Sequence, residues 1–579
     1  MTLSRRTRRL ATLPALALAA AAVTAGATSS TAAAAPKAKD TPKGPPPVEL
    51  QLLALNDFHG QLEPVPSSSS GSRLPGFGLE GFGGSEYLAT QVRQLEAASK
   101  KKNTVTVAAG DLIGATPLLS AAFHDEPAIE ALNLIGLDYA SVGNHEFDEG
   151  PAELLRIQNG GCHPVDGCSD PALPYQGADF QYLSANAFVT ATQQPLLPPY
   201  AIHKVQGVSV GFIGMTLEGT PSIVTPSGVA GLEFRDEAET ANRYVRELRA
   251  KGVETIVVLL HEGGSQVGAT SVDGCNGPTG PNSLTGPIAQ IVPLMDDAID
   301  VVVTGHTHQA YNCVLDGKVV TSASSVGRLV TDIDLTIDRK SGDVIRATAD
   351  NVPVSRTVPA DAAQTALIGR YRTLLGPVAG RVVGTASTAI ANAAAPSGER
   401  PMGNLIADAQ LAATTSVGAV AALMNPGGVR AELDQGPITY EEAFSVQPFG
   451  NLLTTITLTG AQLDCVLEQQ FAGGRNVVLQ PSASLGYTRD RSQPAGTATA
   501  PCSGQQVTDL RIDGTLVDPA ASYRITVNNF LADGGDGFTQ LTGGTARTLG
   551  VDDLTALTDY LTTQGTVSAP ATNRIRLLP

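Results

Sequence analysis

The sequence contains no tryptophan, and aromatic residues make up only 4% of its 579 residues. Any surface for a flat ligand must be built from few rings, so a phenylalanine outside an apolar run draws attention. Charged residues are also sparse, at 16%, and the formal net charge is −17. A field of that sign repels phosphate polymers, which argues against a nucleic-acid polymer as partner and requires any phosphate site to be a local positive island. Cysteine is limited to six residues, Cys162, Cys168, Cys275, Cys313, Cys465 and Cys502, with no C-x-x-C pair. Thiolate metal ligation is thereby the weaker reading and disulfides the natural one. Nearest-neighbour pairing is one of fifteen connectivities open to six cysteines. Histidine is absent after His308, so imidazole chemistry belongs to the N-terminal half.

What is present begins with Arg5, Arg6, Arg8 and Arg9, an apolar stretch from Leu10 to Val23, and small residues around Ala32 to Ala35. Those are the parts of an export signal, expected over residues 1–35, and the apolar core is shorter than the roughly 20 residues that span a bilayer. Its removal would take the formal charge from −17 to −21, because it carries four arginines and no acid. No second long apolar segment follows, so a secreted protein without a membrane anchor is expected.

Residues 36–47, rich in proline and lysine, read as a disordered spacer. A first strand is expected over Val48 to Leu55, and up to about residue 350 short runs of Val, Ile and Leu alternate with helix-like stretches such as Ala238 to Ala250. This is an α/β pattern. A helix over Ala360 to Leu375 lies in an expected linker, 351–383, and residues 384–579 mix helix and strand in a second domain. At this length, two domains are the prior in any case.

The apolar runs of the N-terminal half lead into polar residues with a consistent character. Leu52 to Leu55 precede Asn56-Asp57-Phe58-His59-Gly60, and Val105 to Ala109 precede Gly110-Asp111. Tyr139 to Val142 precede Gly143-Asn144-His145-Glu146, Ile256 to Leu260 precede His261-Glu262, and Val301 to Val303 precede Thr304-Gly305-His306-Thr307-His308. Alone, an Asp-Phe-His or Gly-Asp segment is more often an ordinary turn. Strands of a layered α/β sheet, however, can end at one edge and bring remote side chains together there. Imidazole and oxygen donors without thiolate suit Mn, Zn, Co or Fe, and their number suffices for two divalent ions.

These blocks, with Phe147-Asp148 extending the third, resemble the signatures of calcineurin-like metallophosphoesterases, specifically the 5′-nucleotidase and UDP-sugar hydrolase family, over residues from about Glu49 to the end. The resemblance implies a four-layer αββα sandwich and a smaller α+β C-terminal domain joined to it by a helix. It also implies that Asp57, His59 and His308 hold one metal, that Asn144, His261 and His306 hold a second, and that Asp111 bridges them. His145 with Asp148 would form a dyad that stabilises charge on the phosphoryl group or leaving oxygen. His124, His163 and His203 receive no role.

In the C-terminal half, Met402 to Asp408, Asn425 to Arg430, Gln447 to Asn451 and Asn529 to Phe538 resemble blocks of the same family's second domain. Phe449 and Phe530 read as set in Gly/Pro-rich loops rather than apolar runs and are candidates to stack on a base. By resemblance, Asp536 would bind ribose hydroxyls, Arg430 the phosphate and Asn425 the base or its surroundings. The family places a further arginine just before the Met-Gly-Asn block, and Arg400 stands near that position but out of register. Hydrolysis of nucleoside 5′-monophosphates by a metal-bridging hydroxide is the expectation, with UDP-sugars and 2′,3′-cyclic nucleotides as further substrates and a domain rotation carrying substrate to the metals. A thiosulfohydrolase of the same superfamily and a non-catalytic nucleotide-binding protein are the competing readings.

Overall fold

The computed structural model describes residues 45–65, 74–77, 81–99, 103–266, 269–275 and 283–578. The expected export signal, and all but the last three residues of the expected spacer, lie outside the described residues.

Two six-stranded sheets face each other in the N-terminal half. The first has the order Val344–Pro353, Leu329–Ile337, Val48–Leu55, Thr104–Ala109, Tyr139–Ser141, Gln181–Leu183. The second runs Ala310–Leu315, Lys318–Ala323, Val301–Thr304, Thr255–His261, Val208–Thr216, Tyr200–Val205. Strand alternation explains the layering, because successive side chains point to opposite faces. In Val48–Leu55, Leu50, Leu52 and Ala54 enter the core between the sheets while Leu53 and Leu55 enter the helix-covered core outside. Thr255–His261 repeats this, with Val257 and Leu259 inside and Ile256, Val258 and Leu260 outside. Burial on both faces accounts for the nearly unbroken apolar runs.

Helices Ser85–Ala98, Glu126–Ile135 and Pro151–Asn159 cover the first sheet through Leu88, Val92, Leu132 and Leu154. Glu237–Ala250 covers the second through Ala241, Val245 and Leu248, and starts where the Asp236 carboxylate accepts the N–H of Glu239. The result is a four-layer αββα sandwich.

The C-terminal half is α+β. A five-stranded sheet, ordered Gln480–Pro481, Ala421–Met424, Ser522–Asn528, Leu452–Thr459, Thr545–Asp552, adjoins sheets of four and three strands. Helix Gly460–Gln469, opened by a Thr459/Gln462 capping box, serves one core, and helices Pro401–Thr414 and Asp553–Gln564 serve another.

The limits expected at 350 and 384 cut into two strands. Val344–Pro353 keeps its ladder with Leu329–Ile337 as far as Pro353, and Val382–Ala386 pairs with Gly436–Thr439 from Val382 onward. The helix between them spans Ala362–Leu375, two residues short of the expected start, because Asp361 caps it by accepting the N–H groups of Ala363 and Gln364. Its Leu367, Ile368 and Tyr371 belong to the N-terminal core. Disulfides join Cys162 to Cys168, Cys275 to Cys313 and Cys465 to Cys502, the nearest-neighbour pairing. Among the described residues no helix is long and apolar enough to cross a membrane.

Candidate active site

Parallel strands of both sheets end at a common edge, and their exits carry the histidines and carboxylates singled out above. The exits are tightly bent. Asp57, His59, Asp111, His306 and His308 all adopt left-handed backbone conformations, with φ of 50°, 47°, 50°, 70° and 55°. For residues with a side chain this costs about 1–3 kcal/mol each and persists only where the surroundings impose it. Gly305 has a steric reason to be glycine, because a Cβ there would lie 2.6 Å from the Ala109 carbonyl oxygen and 3.0 Å from Asp57 Oδ2.

The strain gathers two groups of donors. In one, Asp57 Oδ1 lies 3.2 Å from His308 Nε2, and His308 Nε2 lies 3.1 Å from His59 Nε2. In the other, Asp111 Oδ2 lies 3.0 Å from His261 Nε2, whose Nε2 is 3.2 Å from Asn144 Oδ1, and His306 offers a nitrogen to the same group. Asp111 Oδ2 is also 3.8 Å from His59 Nε2, so this carboxylate touches both groups. All seven residues are buried except His306 and His308, which are half-buried.

The donor set fits divalent cations. His59 Nδ1 faces the carbonyl oxygen of Gly114 at 2.8 Å and His261 Nδ1 that of Ala109 at 2.7 Å, which turns each Nε2 inward as a free lone pair. Two imidazole nitrogens 3.1 Å apart beside two buried carboxylates are then satisfied together by a cation. Without one, burial pulls His261 down, but the Asp111 carboxylate outweighs it and carries the imidazole up to about 10.

His145 sits in the single turn His145–Phe147, its Nδ1 2.7 Å from Asp148 Oδ2 and its backbone N–H donating to Asp111 Oδ1 at 3.0 Å. Burial lowers its pKa, yet Asp148 and then Asp111 leave it raised.

Four C-terminal residues complete two neighbourhoods. The Phe449 ring stacks on His145, with centroids 5.7 Å apart and planes 17° apart, and the Arg430 guanidinium lies 5.8 Å from that ring. Burial holds the Arg430 pKa below its ordinary value, and the nearby charges of Asp111, Asp148 and Asp57 offset part of that. Asn425 donates to Asp536 Oδ2 at 2.9 Å and accepts from Asn528 at 3.0 Å. Phe530 differs from its expected loop position: it lies in the one-turn helix Asn529–Ala532, capped by Asn528, with its ring against Gly535. Arg400 donates to the Asn392 carbonyl oxygen at 2.6 Å, a contact within the C-terminal half.

Two further residues shape the site. Glu146 accepts the N–H groups of Asp111 at 3.0 Å, Leu112 at 2.8 Å and Gly143, clamping two of the strand exits together. Burial, then the Asp111 charge, pushes its carboxyl up to about 7. It was visible as a carboxylate inside a motif, but only its position under the loops reveals the clamp. Arg475 donates to the carbonyl oxygens of Asp536 and Gly537, bracing that turn, and no local sequence signal marks it.

Comparison with known proteins bears on the whole arrangement. Residues 50–310 match the model of the calcineurin-like phosphoesterases, and residues 382–543 match the 5′-nucleotidase C-terminal domain. The chain thus carries a calcineurin-like phosphoesterase domain followed by a 5′-nucleotidase C-terminal domain. It is 35% identical over 521 residues to endonuclease YhcR of Bacillus subtilis (strain 168), covering 89% of this chain and 40% of that protein. It is 31% identical to cell wall protein Lmo0130 of Listeria monocytogenes, covering 85% of this chain and 64% of that protein. The chain thus spans about two fifths and under two thirds of these two relatives. The crystal structure of a 5′-nucleotidase precursor from Thermus thermophilus superposes with a TM-score of 0.74 at 27% identity, over 92% of this chain and 99% of that one.

Proposed function

We propose that this chain is a metal-dependent phosphoric ester hydrolase that releases phosphate from nucleoside 5′-monophosphates. Asp57, His59 and His308 would hold one divalent ion, Asn144, His261 and His306 a second, and Asp111 would touch both. Bound there, such ions supply Lewis-acid activation of water and of the phosphoryl oxygens.

The observation that carries this reading is the meeting of the two halves: Arg430 and Phe449 reach the donor cluster and the His145–Asp148 pair. An arginine beside an acidic donor cluster is the local positive island that an acidic protein needs for a phosphate. His145, whose pKa burial lowers but Asp148 and Asp111 raise above its ordinary value, would donate to the phosphoryl or leaving oxygen, and Asp148 would fix the ring's orientation. The linked pair Asn425 and Asp536, with Phe449 and Phe530, would bind the nucleoside. Stacking of a base on such a ring contributes on the order of 1–3 kcal/mol whatever the base. UDP-sugars and 2′,3′-cyclic nucleotides are further substrates in this reading. Export is part of the proposal, supported by three disulfides, which persist in oxidising compartments, and by a relative named as a cell wall protein.

The test is hydrolysis by the purified chain, read as phosphate release from AMP, as formation of UMP from UDP-glucose and 3′-AMP from 2′,3′-cyclic AMP, and as p-nitrophenol release from bis-p-nitrophenyl phosphate, each with Mn, Zn, Co or Mg. A single-stranded DNA arm belongs in the panel, because one relative is named an endonuclease. Turnover of AMP with at least one metal is expected. No hydrolysis of any small substrate would overturn the proposal, and cleavage of DNA alone would replace it.

A further inference from the structure

Asp125 stands at the N-cap of helix Glu126–Ile135, where an aspartate ordinarily accepts an N–H of the first turn. This one makes no such bond. Its Oδ2 instead accepts the backbone N–H of Gly114 at 3.0 Å. The residue is 8% exposed and has φ of 59°, directly after His124 at 49°, so two consecutive residues with side chains hold left-handed backbone. Burial raises its pKa, and the Ser120 and Thr116 side chains and the Gly114 N–H offset part of that. A buried carboxylate in strained backbone, turned away from its own helix, costs stability, and such strain clusters at functional sites.

Gly114 is what this carboxylate holds. The glycine lies between strand Thr104–Ala109 and the short helix Leu118–Ala121, where no ladder or helix takes its N–H. Its carbonyl oxygen faces His59 Nδ1 at 2.8 Å, the contact that leaves Nε2 for the group containing Asp57 and His308. Its φ is 80°, and a Cβ there would lie 2.6 Å from His145 Cβ and 2.9 Å from Asp148 Oδ2. One residue thus abuts a proposed ligand and both members of the proposed dyad. The turn after His59 leans on the neighbours of Asp125 as well, since a Cβ on Gly60 would lie 2.7 Å from Ser120 Oγ and from Thr116 Cγ2.

We propose that Asp125 is a positioning residue of the active site, which anchors Gly114 and thereby sets the orientation of His59 and the seat of the His145–Asp148 pair. This rests on the roles proposed above for those residues. Glycine turns freely, so the bond from its N–H to Asp125 is what fixes the loop. With the loop fixed, the Gly114 carbonyl meets one edge of the His59 ring, and the missing Cβ leaves room for His145. Without it, His59 loses a set acceptor behind Nδ1, the kind of contact that tunes metal affinity about 10- to 100-fold.

The test compares Asp125→Gly and Asp125→Asn with wild type in the full chain, by steady-state kinetics on AMP, Mn²⁺ affinity from chelator competition, and melting temperature. Glycine adopts φ of 59° without strain, so Asp125→Gly removes the carboxylate and leaves the backbone at ease. It should lower kcat about 10- to 100-fold with KM within about twofold, and weaken Mn²⁺ binding about tenfold. Asparagine keeps an oxygen for the Gly114 N–H and tolerates left-handed backbone, so Asp125→Asn should recover most of both. Asp125→Ser, whose oxygen falls one bond short of Gly114, should follow Asp125→Gly and replaces it if the glycine variant does not fold. Wild-type kcat and Mn²⁺ affinity in the variants that lack the carboxylate oxygen, or equal losses in Asp125→Gly and Asp125→Asn, would overturn the proposal. If wild type hydrolyses no AMP, the proposed function fails, while the Mn²⁺ affinities still decide the role of Asp125 toward His59.

Discussion

The two halves of the molecule build their parts of the site in different ways. In the N-terminal half, five of the seven proposed ligands stand in left-handed backbone at strand exits, and the scaffold on both sides is a mixed sheet whose ligand-bearing strands run parallel. In the C-terminal half, the proposed nucleotide contacts are held by one another and by neighbouring turns: Asn425 by Asp536 and Asn528, the Asp536 turn by Arg475, Phe530 by Gly535. Strain imposed by a rigid sheet gives fixed donor geometry, which metal ligation demands. Side chains that brace each other give a surface that is easier to vary. The contrast predicts that damage in the first half abolishes chemistry, and damage in the second shifts substrate binding.

The sharpest attempt to break it is Asp111→Asn, which weakens the one carboxylate shared by both donor groups. Phosphate release should fall on the order of 10³-fold, with loss of bound metal by mass spectrometry. A wild-type rate would remove the N-terminal half from the chemistry. Next is Glu146→Ala, which leaves three buried N–H groups without an acceptor. Activity should drop about 10- to 100-fold through misplaced ligands, and thermal stability should fall with it. Glu146→Gln, retaining one acceptor oxygen, should recover part of both losses.

Arg430→Ala tests the other side of the comparison. It removes charge-assisted contacts to phosphate, and KM for AMP should rise about tenfold in steady-state assays with a smaller change in kcat. A collapse of kcat with KM unchanged would make Arg430 part of the chemical machinery and blur the division. The smallest effect concerns the joint between the halves. Arg372, on the helix Ala362–Leu375, pairs with Glu63 of the first half and donates to Glu441 of the second at 2.8 Å. Being partly exposed, these pairs should contribute no more than about 1 kcal/mol, so Arg372→Ala should change the melting temperature little. A larger loss would mean that the two halves are held more rigidly than the exposed pairs imply.

The N-terminal candidates were legible because their pattern is local. An apolar run followed by Asp, His or Asn announces a strand and its exit, and five such exits occur in order along the chain. Glu146 and Arg475 were not legible in the same way, since their roles are hydrogen bonds to backbone 35 and 61 residues away. His124 and His163 are the clearest case: 39 residues apart and in no motif, they meet as stacked rings only because the disulfide loop folds back over the dyad loop.

Sequence by itself determined the α/β class, the confinement of histidine to the first half, and which polar residues follow each apolar run, because these are read from composition and periodicity along the chain; their assignment as metal ligands came from the family resemblance and stands as a proposal. Tertiary structure alone decided that Phe449 and Arg430 reach the His145–Asp148 pair and that a second histidine cluster exists beside it; Asp111, expected from the resemblance to bridge the metal sites, lies between the two donor groups. Those are distances between segments remote along the chain, and such distances are set by how sheets, loops and disulfides pack.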